Sequence, residues 1–481
     1  MVINIGGYHM TDFKQFLDST GGTKKDNPFM YATTIPQHPT GFMYLDYGCG
    51  TYLNVYNDNE EPIYTYHNIG IGSGSVNSLL SKSQGGKTTL AIQMGCAIIE
   101  PYLNPIYYER FVRANATKKD MEAVSAGMPF IQIVDTEKTL PMDYVKKLSH
   151  YTNKQLAKRV LINQITTDTE LVKLLESHIK YKTEYMSPVV SPMLDLFGHP
   201  IKEYPPTVMI IDSMSQLLLE SVDDPSKIDD KKNGIGAIYD SVTKGPAGAQ
   251  RAKVISALYS QLVTYAKKYN IIIFSINHIN KTPAIMGIPV KQFRGLRAGE
   301  TIGGGERAIY LSSAMLRLDV IKSINPESAS AVNLGPDIKG HVAIASWIKS
   351  KSNSKANTCQ LCFTNQNGYD PLLSNLWQGK ETGDLAKKGN YYFVDKYPDK
   401  LFTFKNYSDV FGSNPELFRA YVDQLRGNCE KLLDNPDIAI KKHQEEAKAI
   451  RDEIHDEYKN GDMDRSTMMD MDDMFASLMN D

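Results

Sequence analysis

The chain has 481 residues, of which 42% are hydrophobic and 22% charged, an ordinary composition for a folded protein with a large core. The formal charge of −2 excludes a strongly basic or strongly acidic protein, yet residues 445–481 carry 12 acidic and 4 basic residues. That tail is therefore net −8 and the rest of the chain net +6. A mildly basic body gives weak support for a polyanionic partner.

The sequence offers no signal for a membrane or for a disulfide framework. No leader-like segment opens it and no apolar run has the length of a membrane span, so a cytoplasmic location is predicted. Five scattered cysteines predict reduced thiols. Cys359 and Cys362 lie in a strand-like run that directs their sulfurs to opposite faces, which favours core packing over a zinc site.

In chain order, the first 65 residues are rich in Tyr, Asn, Gly and Pro and are predicted to form an arm with one helix, at Thr11 to Ser19. From Tyr64 the pattern alternates between strands and helices. This alternation predicts an α/β fold with a mostly parallel, twisted sheet. The predicted strands include the apolar runs Phe130 to Val134, Val208 to Ile211, Ile271 to Ile276 and Ala314 to Val320.

Two stretches, at about Pro101 to Gly127 and Tyr181 to Pro206, interrupt this pattern and are predicted to be surface insertions. The predicted core spans residues 66–377. Residues 378–456 are aromatic and helical, which predicts a small C-terminal domain. Residues 457–481 combine Asp and Met and are predicted to be an acidic tail without a fold of its own.

A phosphate-binding loop is predicted at Ser81-Lys-Ser-Gln-Gly-Gly-Lys-Thr-Thr89, between an apolar run and a helical pattern. A strand, a tight glycine-rich turn and a helix start direct backbone N–H groups towards an anion. Ser81 stands where the usual pattern has its first glycine, and Gly85 and Gly86 are the candidates to compensate. An ordinary surface turn is the alternative. The predicted ATP contacts in the loop are Ser83, Gln84, Gly85, Gly86, Lys87, Thr88 and Thr89.

Lys87 is expected to reach the β and γ phosphates, and Thr88 to bind Mg²⁺ through its hydroxyl. Asp212 follows a buried strand and is expected to orient Mg²⁺ through water, with a turn-capping role as the alternative.

Other polar residues follow neighbouring strands, where an α/β sheet binds its ligand. Asp135 and Glu137 follow one strand, and a carboxylate near the γ phosphate can orient the attacking water. Asn277 and His278 end another strand and are predicted to sense the γ phosphate. A structural role is the alternative for His278.

Taken in order, these motifs resemble the RecA recombinase family, and within it the bacteriophage UvsX branch most. The resemblance implies a RecA-like P-loop ATPase core, with Glu137 as the catalytic glutamate and Tyr144 stacked on adenine. Asn277-His278 is similar to the UvsX form of the γ-phosphate sensor. The match runs from about Thr40 to Trp377 and includes Thr40-Gly-Phe-Met-Tyr-Leu-Asp46, the Ser81 to Thr89 loop, Asp135-Thr-Glu137-Lys-Thr-Leu140, and Thr301-Ile-Gly-Gly-Gly305 with Leu316-Arg-Leu-Asp319.

Two further motifs resemble segments by which that family assembles. Lys349-Ser-Lys351 resembles the family's Lys-x-Lys pair, which reaches across the subunit interface to the neighbour's ATP. Lysines at alternate strand positions face the same side, although solvated lysines at an exposed strand end are the alternative. Phe29-Met-Tyr-Ala32 resembles a plug that docks on a neighbouring subunit. The resemblance thus implies a helical homo-oligomer and an oligomerisation role for residues 1–65.

The resemblance also implies DNA-binding loops near residues 222–250 and 280–305. Cations in such loops can neutralise phosphates, and an apolar side chain such as Met286 can insert between bases. A surface lid is the alternative. The implied DNA contacts are Lys231 and Lys232 in the first loop, and Lys281, Met286, Lys291, Phe293, Arg294 and Arg297 in the second.

The implied function is that of an ATP-dependent recombinase, with ATP and Mg²⁺ as cofactors. It would form filaments on single-stranded DNA, pair it with homologous double-stranded DNA and exchange strands. The acidic tail is expected to compete with duplex DNA or to bind mediator or single-strand-binding proteins, and a merely solubilising end is the alternative. The alternatives are a replicative helicase, with an arginine finger in place of the two trans lysines, and a nucleotide-gated structural filament. The expected catalytic residues are Lys87, Glu137, His278, Lys349 and Lys351.

Overall fold

The computed structural model describes residues 35–56, 62–103, 129–186, 188–194, 200–219, 247–281, 295–302, 305–328 and 330–433. The chain divides into two compact units. The larger comprises Ile35–Thr51 and His67–Leu433, and the smaller comprises Met1–Thr34, Tyr52–Tyr66 and Asp434–Asp481. In the smaller unit the structure describes residues 52–56 and 62–66, which belong to the paired strands Thr51–Tyr56 and Pro62–Asn68.

A ten-stranded sheet forms the centre of the larger unit. Its strands are β1 (Val76–Ser81), β2 (Phe130–Asp135), β3 (Val160–Asn163), β4 (Thr207–Asp212), β5 (Ile271–Lys281), β6 (Glu300–Ile302), β7 (Ala314–Ile324), β8 (Gly340–Ser350), β9 (Thr358–Thr364) and β10 (Gly368–Tyr369). Their order in the sheet is β10-β9-β8-β7-β1-β5-β4-β2-β3, and β6 pairs with the end of β5.

The sheet combines a parallel part with an antiparallel part. Six neighbouring strands of the sheet, in the spatial order β7-β1-β5-β4-β2-β3, are parallel to one another. Strands β7 to β10 form an antiparallel meander, and β6 pairs antiparallel with β5. The predicted α/β class with a mostly parallel sheet is confirmed.

Apolar side chains on both faces of the parallel strands are buried, as expected where helices cover a parallel sheet. On one face, Met209 and Ile273 belong to a core cluster that also contains Leu175 and Leu258 from two helices. On the other face, a Cβ on Gly95 would lie 3.2 Å from Val208. Successive strand residues therefore alternate between two buried layers, which explains the uninterrupted apolar runs that predicted these strands.

The helices begin and end at residues suited to those places. Asp168–Tyr185 starts with a capping box, in which Thr167 accepts a hydrogen bond from the Glu170 backbone and Glu170 accepts one from the Thr167 backbone. Other helices are Met43–Gly48, Lys87–Leu103, Met142–Ser149, Asn153–Arg159, Ala247–Tyr269, Gly305–Leu311, Pro371–Thr382, Tyr407–Gly412 and Pro415–Cys429.

The C-terminal described segment contains a three-stranded sheet of Ala386–Lys388, Tyr391–Val394 and Tyr397–Phe402, which the sequence did not predict. Residues 378–433 lie in the same compact unit as the central sheet, and the boundary predicted at residue 378 falls inside the helix Pro371–Thr382. Residues 35–51 of the predicted arm also lie in this unit. Cys359 and Cys362 are both buried, as expected.

Several predicted segments lie outside the described residues: the helix at 11–19, the Phe29 to Ala32 motif, most of the insertion at 101–127, most of the loop at 222–250 and the tail at 457–481. The insertion at 181–206 contains the paired strands Val189–Leu194 and Pro200–Glu203. In the part of the chain that is described, no helix is long and apolar enough to cross a membrane.

Candidate functional site

The predicted site residues come together at the carboxyl ends of adjacent parallel strands. Strand β1 ends at Ser81, the first residue of the predicted phosphate loop, and His278 of β5 lies opposite Ser81 in the register. Strand β4 ends at Asp212, which lies opposite Asp135 of β2. Parallel strands thus deliver residues about 50 to 200 positions apart in sequence to one edge of the sheet, where α/β proteins bind their ligands.

The predicted phosphate loop has two residues in the left-handed region, Gln84 with φ 62° and Gly86 with φ 73°. Such conformations build the concave N–H arrangements that bind anions. Ser81 is buried, and its hydroxyl donates to the Lys82 carbonyl at 2.6 Å. A Cβ on Gly85 would lie 1.7 Å from that hydroxyl oxygen. The glycine at position 85 therefore provides the space that the serine at position 81 occupies.

Tyr369 supports this loop from β10, a role that the sequence did not predict. Its side chain is fully buried, and its hydroxyl donates to the Gly85 carbonyl at 2.9 Å. Gln93 fixes the Tyr369 backbone, because its amide oxygen accepts the Tyr369 N–H at 2.9 Å and its amide nitrogen donates to the Tyr369 carbonyl at 2.8 Å. The only sequence signal was a tyrosine after a predicted strand.

Lys87 is the buried cation of the site. Its Nζ donates to the carbonyls of Lys82 at 2.9 Å and Ser81 at 3.3 Å, and lies 3.5 Å from Nδ1 of His278. Burial lowers the pKa of Lys87 to about 8, against an opposing effect of the nearby carboxylates Asp212 and Glu137. A phosphate would therefore meet an ammonium group that has already been removed from most of its water.

Thr88 and Asp212 form a hydroxyl–carboxylate pair, with the Thr88 hydroxyl donating to Asp212 Oδ2 at 2.5 Å. Burial raises the pKa of Asp212, and the Thr88 hydrogen bond opposes that shift. These two oxygens fit Mg²⁺, which is usually held by one or two protein oxygens together with substrate phosphates and water. Among the described residues, no cluster of three or more His, Cys, Asp and Glu could hold a metal by itself.

Thr136 joins the ends of β2 and β4, another role that the sequence did not indicate. Its hydroxyl donates to the Asp212 carbonyl at 2.9 Å and accepts the Ser213 N–H at 2.7 Å. Asp135 accepts the backbone N–H groups of Thr139 and Leu140 at 3.4 and 3.0 Å, so it shapes the turn after β2.

Glu137 is the carboxylate of this turn that contacts the predicted γ-phosphate sensor. Its Oε1 lies 3.5 Å from Nε2 of His278. His278 therefore stands between Lys87, on the side of Nδ1, and Glu137, on the side of Nε2. A lysine, a histidine and a glutamate thus form a continuous polar row beside the loop.

Tyr144 and Lys349, whose roles came from the family resemblance, have partners within the chain. The Tyr144 hydroxyl is hydrogen-bonded to the Thr89 hydroxyl at 2.6 Å. Lys349 donates to the carbonyls of Ile309 and Tyr310, both at 2.7 Å, at the end of the helix Gly305–Leu311. Lys351 is exposed.

Arg297 is the only predicted DNA contact whose side chain falls within the described part of the chain. That side chain is 66% exposed and lies 3.0 Å from Asp319. Lys281 is the last residue of β5, and its side chain is outside the described set. Also outside it are Lys231, Lys232, Met286, Lys291, Phe293 and Arg294.

No model of a known protein family matches the chain, and no curated protein matches it. The site joins a buried lysine, a hydroxyl–carboxylate pair and a second carboxylate beside a histidine, all at the ligand-binding edge of a largely parallel sheet.

Proposed function

We propose that the chain is a RecA-like P-loop ATPase that forms filaments on single-stranded DNA and catalyses homologous pairing and strand exchange. One observation carries the ATPase part of the proposal: Lys87, the Thr88–Asp212 pair and the Glu137–His278 pair converge after a strand–turn–helix loop. Lys87 supplies charge compensation, the first pair metal binding and the second pair orientation of the nucleophile, the three functions that phosphoryl transfer to water requires.

The reaction is in-line attack of water on the γ phosphate of ATP. Lys87 counters the charge on the transferred group, and its partly desolvated position strengthens that interaction. Glu137 orients the attacking water, and His278 fixes the carboxylate through the contact at 3.5 Å. Thr88 and Asp212 would hold Mg²⁺, which would supply neutralisation of the phosphate charge.

The DNA-binding and assembly roles are supported by residues at the margin of the sheet. Arg297 presents an exposed guanidinium where β6 pairs with the end of β5, and Lys351 is exposed just beyond β8. We assign Arg297 to a DNA phosphate, and Lys349 and Lys351 to the ATP of a neighbouring subunit. The remaining assignments in the loops, arm and tail rest on the family resemblance.

The proposed ATP hydrolysis is tested by measuring the affinity for ATP and the rate of its hydrolysis separately in each variant. Glu137→Gln should bind ATP with near-normal affinity and hydrolyse it at least about 100-fold more slowly, the scale of a lost general base. Lys87→Ala should lose binding. Glu327→Gln is a matched control, because it removes an exposed carboxylate from the loop after β7. Near-normal turnover in Glu137→Gln would remove that residue from the mechanism.

The type of polymer that the protein forms distinguishes a recombinase from a helicase and from a structural filament. Negative-stain images should be recorded with ATP, with and without single-stranded DNA, and ATP turnover measured in both samples. A recombinase gives filaments that depend on DNA and a turnover that DNA stimulates. Rings would indicate a helicase, and filaments that are indifferent to DNA would indicate a structural ATPase.

A further inference from the structure

The second predicted DNA loop, residues 280–305, has a stem formed by strand pairing and by packing on the sheet. Strand β5 continues past His278, and its residues Ile279 to Lys281 pair antiparallel with β6. On the returning side, Leu296 is buried, and a Cβ on Gly295 would lie 3.0 Å from Ile348 of β8. The returning end of the loop is thus packed on the sheet and offers a fixed base for the residues that it carries.

A largely buried ion cluster joins β6 of this stem to β7. The Arg317 side chain is 5% exposed and donates to both oxygens of Glu300, at 2.5 and 3.0 Å. It also donates to both oxygens of Asp319, at 2.7 and 3.1 Å. Because Arg317 binds it so closely, the pKa of Glu300 is lowered to about 2. The Arg317–Glu300 pair therefore stays ionised over the physiological pH range. Glu300, Arg317 and Asp319 together are here called the Arg317 platform.

Arg297 is bound to the platform in two ways. Its backbone N–H donates to Glu300 Oε2 at 2.9 Å, which fixes the main chain. Its guanidinium donates to Asp319 Oδ2 at 3.0 Å while remaining 66% exposed. Asp319 would still accept two hydrogen bonds from Arg317 if Arg297 turned away. The Arg297–Asp319 contact can therefore be exchanged without leaving a carboxylate unpaired.

We propose that the Arg317 platform positions Arg297 for a phosphate of single-stranded DNA and that Asp319 competes internally with that phosphate. The inference rests on the proposed function and adds to it two positioning residues, Glu300 and Arg317, and one internal competitor, Asp319. An exposed guanidinium prefers the bidentate geometry that a phosphodiester offers. Fixing its main chain on Glu300 reduces the conformational freedom lost when DNA binds.

The expected effects follow from the exposed nature of the contact. Exposed ion pairs contribute little, so Asp319→Asn should tighten single-stranded DNA binding about two- to fivefold. Arg297→Ala should weaken binding and reduce the slope of log affinity against log salt by about 0.7, the value for one phosphate contact on a single strand. The double variant should match Arg297→Ala, because Asp319 acts only through that arginine.

The test uses the full chain, a fluorescent thymidine oligonucleotide and a non-hydrolysable ATP analogue, with affinity measured by anisotropy over a salt series. Glu327→Gln is the matched control, since it also removes one carboxylate, 73% exposed and paired with Lys339, from the loop after β7. It should leave affinity unchanged. Equal tightening in Asp319→Asn and Glu327→Gln would reveal a general charge effect and overturn the proposal.

Two further outcomes separate the inference from the function on which it rests. If the wild-type chain does not bind the oligonucleotide, the proposed function fails. If it binds and the Arg297→Ala salt slope is unchanged, the platform proposal fails together with the assignment of Arg297 to a DNA phosphate, while binding of single-stranded DNA by the chain stands. Arg297→Ala removes an exposed side chain and leaves the buried pair of Arg317 and Glu300 intact, so this arm remains decisive even if Asp319→Asn folds poorly.

Discussion

The fit between Ser81 and Gly85 leads to a prediction about the loop that can be worked out from its geometry. In Gly85→Ala the new Cβ would lie 1.7 Å from the Ser81 hydroxyl oxygen and 2.8 Å from the Ser81 Cβ. Rotating the hydroxyl relieves only the first contact, so the backbone must also shift. Overpacking of this kind costs about 1–3 kcal/mol. We expect that loss to appear in the free energy of unfolding, in ATP affinity, or divided between them.

Double variants at Ser81 and Gly85 test whether the steric contact causes the loss of stability or of ATP affinity. Ser81→Ala removes the contact at 1.7 Å and leaves the one at 2.8 Å, so Ser81→Ala/Gly85→Ala should recover part of the loss. Ser81→Gly/Gly85→Ala removes both contacts and should recover most of it. The cycle should therefore show a coupling free energy of about 1–3 kcal/mol between the two positions.

Urea unfolding and ATP titration of each variant provide the two measurements. Gly427→Ala is the control, because among the described residues nothing beyond its chain neighbours and its own helix backbone lies within 4 Å of a Cβ there, and the residue is inside the helix Pro415–Cys429. It should stabilise the chain by up to about 1 kcal/mol. A Gly85→Ala variant with wild-type stability and ATP affinity, or a loss that persists unchanged when Ser81 becomes glycine, would refute the steric reasoning.

Two further predictions concern the lysines. Because the pKa of Lys87 is lowered to about 8, the free site loses its positive charge as pH rises through that value, and ATP affinity should fall between about pH 7 and pH 9. Lys87→Arg, which stays charged, should bind more weakly but with a flat profile over that range, and a parallel decline in both proteins would assign the effect to another group. If Lys349 acts on a neighbour's ATP, mixing Lys349→Ala with Glu137→Gln protein should restore part of the turnover, because some interfaces then pair two intact residues. Turnover no greater than the sum of the separate variants would place Lys349 in its own chain, where it binds a helix end.

The fold could be predicted where buried residues form a continuous apolar run in the local sequence. The runs that contain Ile131, Val208 and Ile273 are apolar on both faces, and each became a central parallel strand. Strand β3 escaped prediction because it is a sheet edge with Leu161 half exposed and polar neighbours. The extension of β5 to Lys281 also escaped, because it depends on pairing with β6 across a segment that the sequence marks only as a loop.

Prediction of the candidate site from the sequence was limited in the same way. Lys87, Thr88 and Asp212 could be proposed because each stands at a recognisable distance from a strand end. Tyr369 and Arg317 could not, because their roles depend on partners far away in sequence: Gly85 lies 284 positions from Tyr369, and Glu300 lies 17 from Arg317. Supporting residues act through tertiary contacts, and a single sequence does not record such pairings.

The position of β1 in the sheet has a consequence for biosynthesis. Val76 pairs with Ile273 and Asn77 with Ala314, so both neighbours of β1 are made roughly 200 to 240 residues after it. At about 5–20 residues per second, the ribosome takes roughly 10–50 seconds to supply them. During that interval an apolar strand has neither edge paired, a state that favours aggregation. The pairing of both edges of β1 therefore has to wait until the later half of the core has emerged from the ribosome.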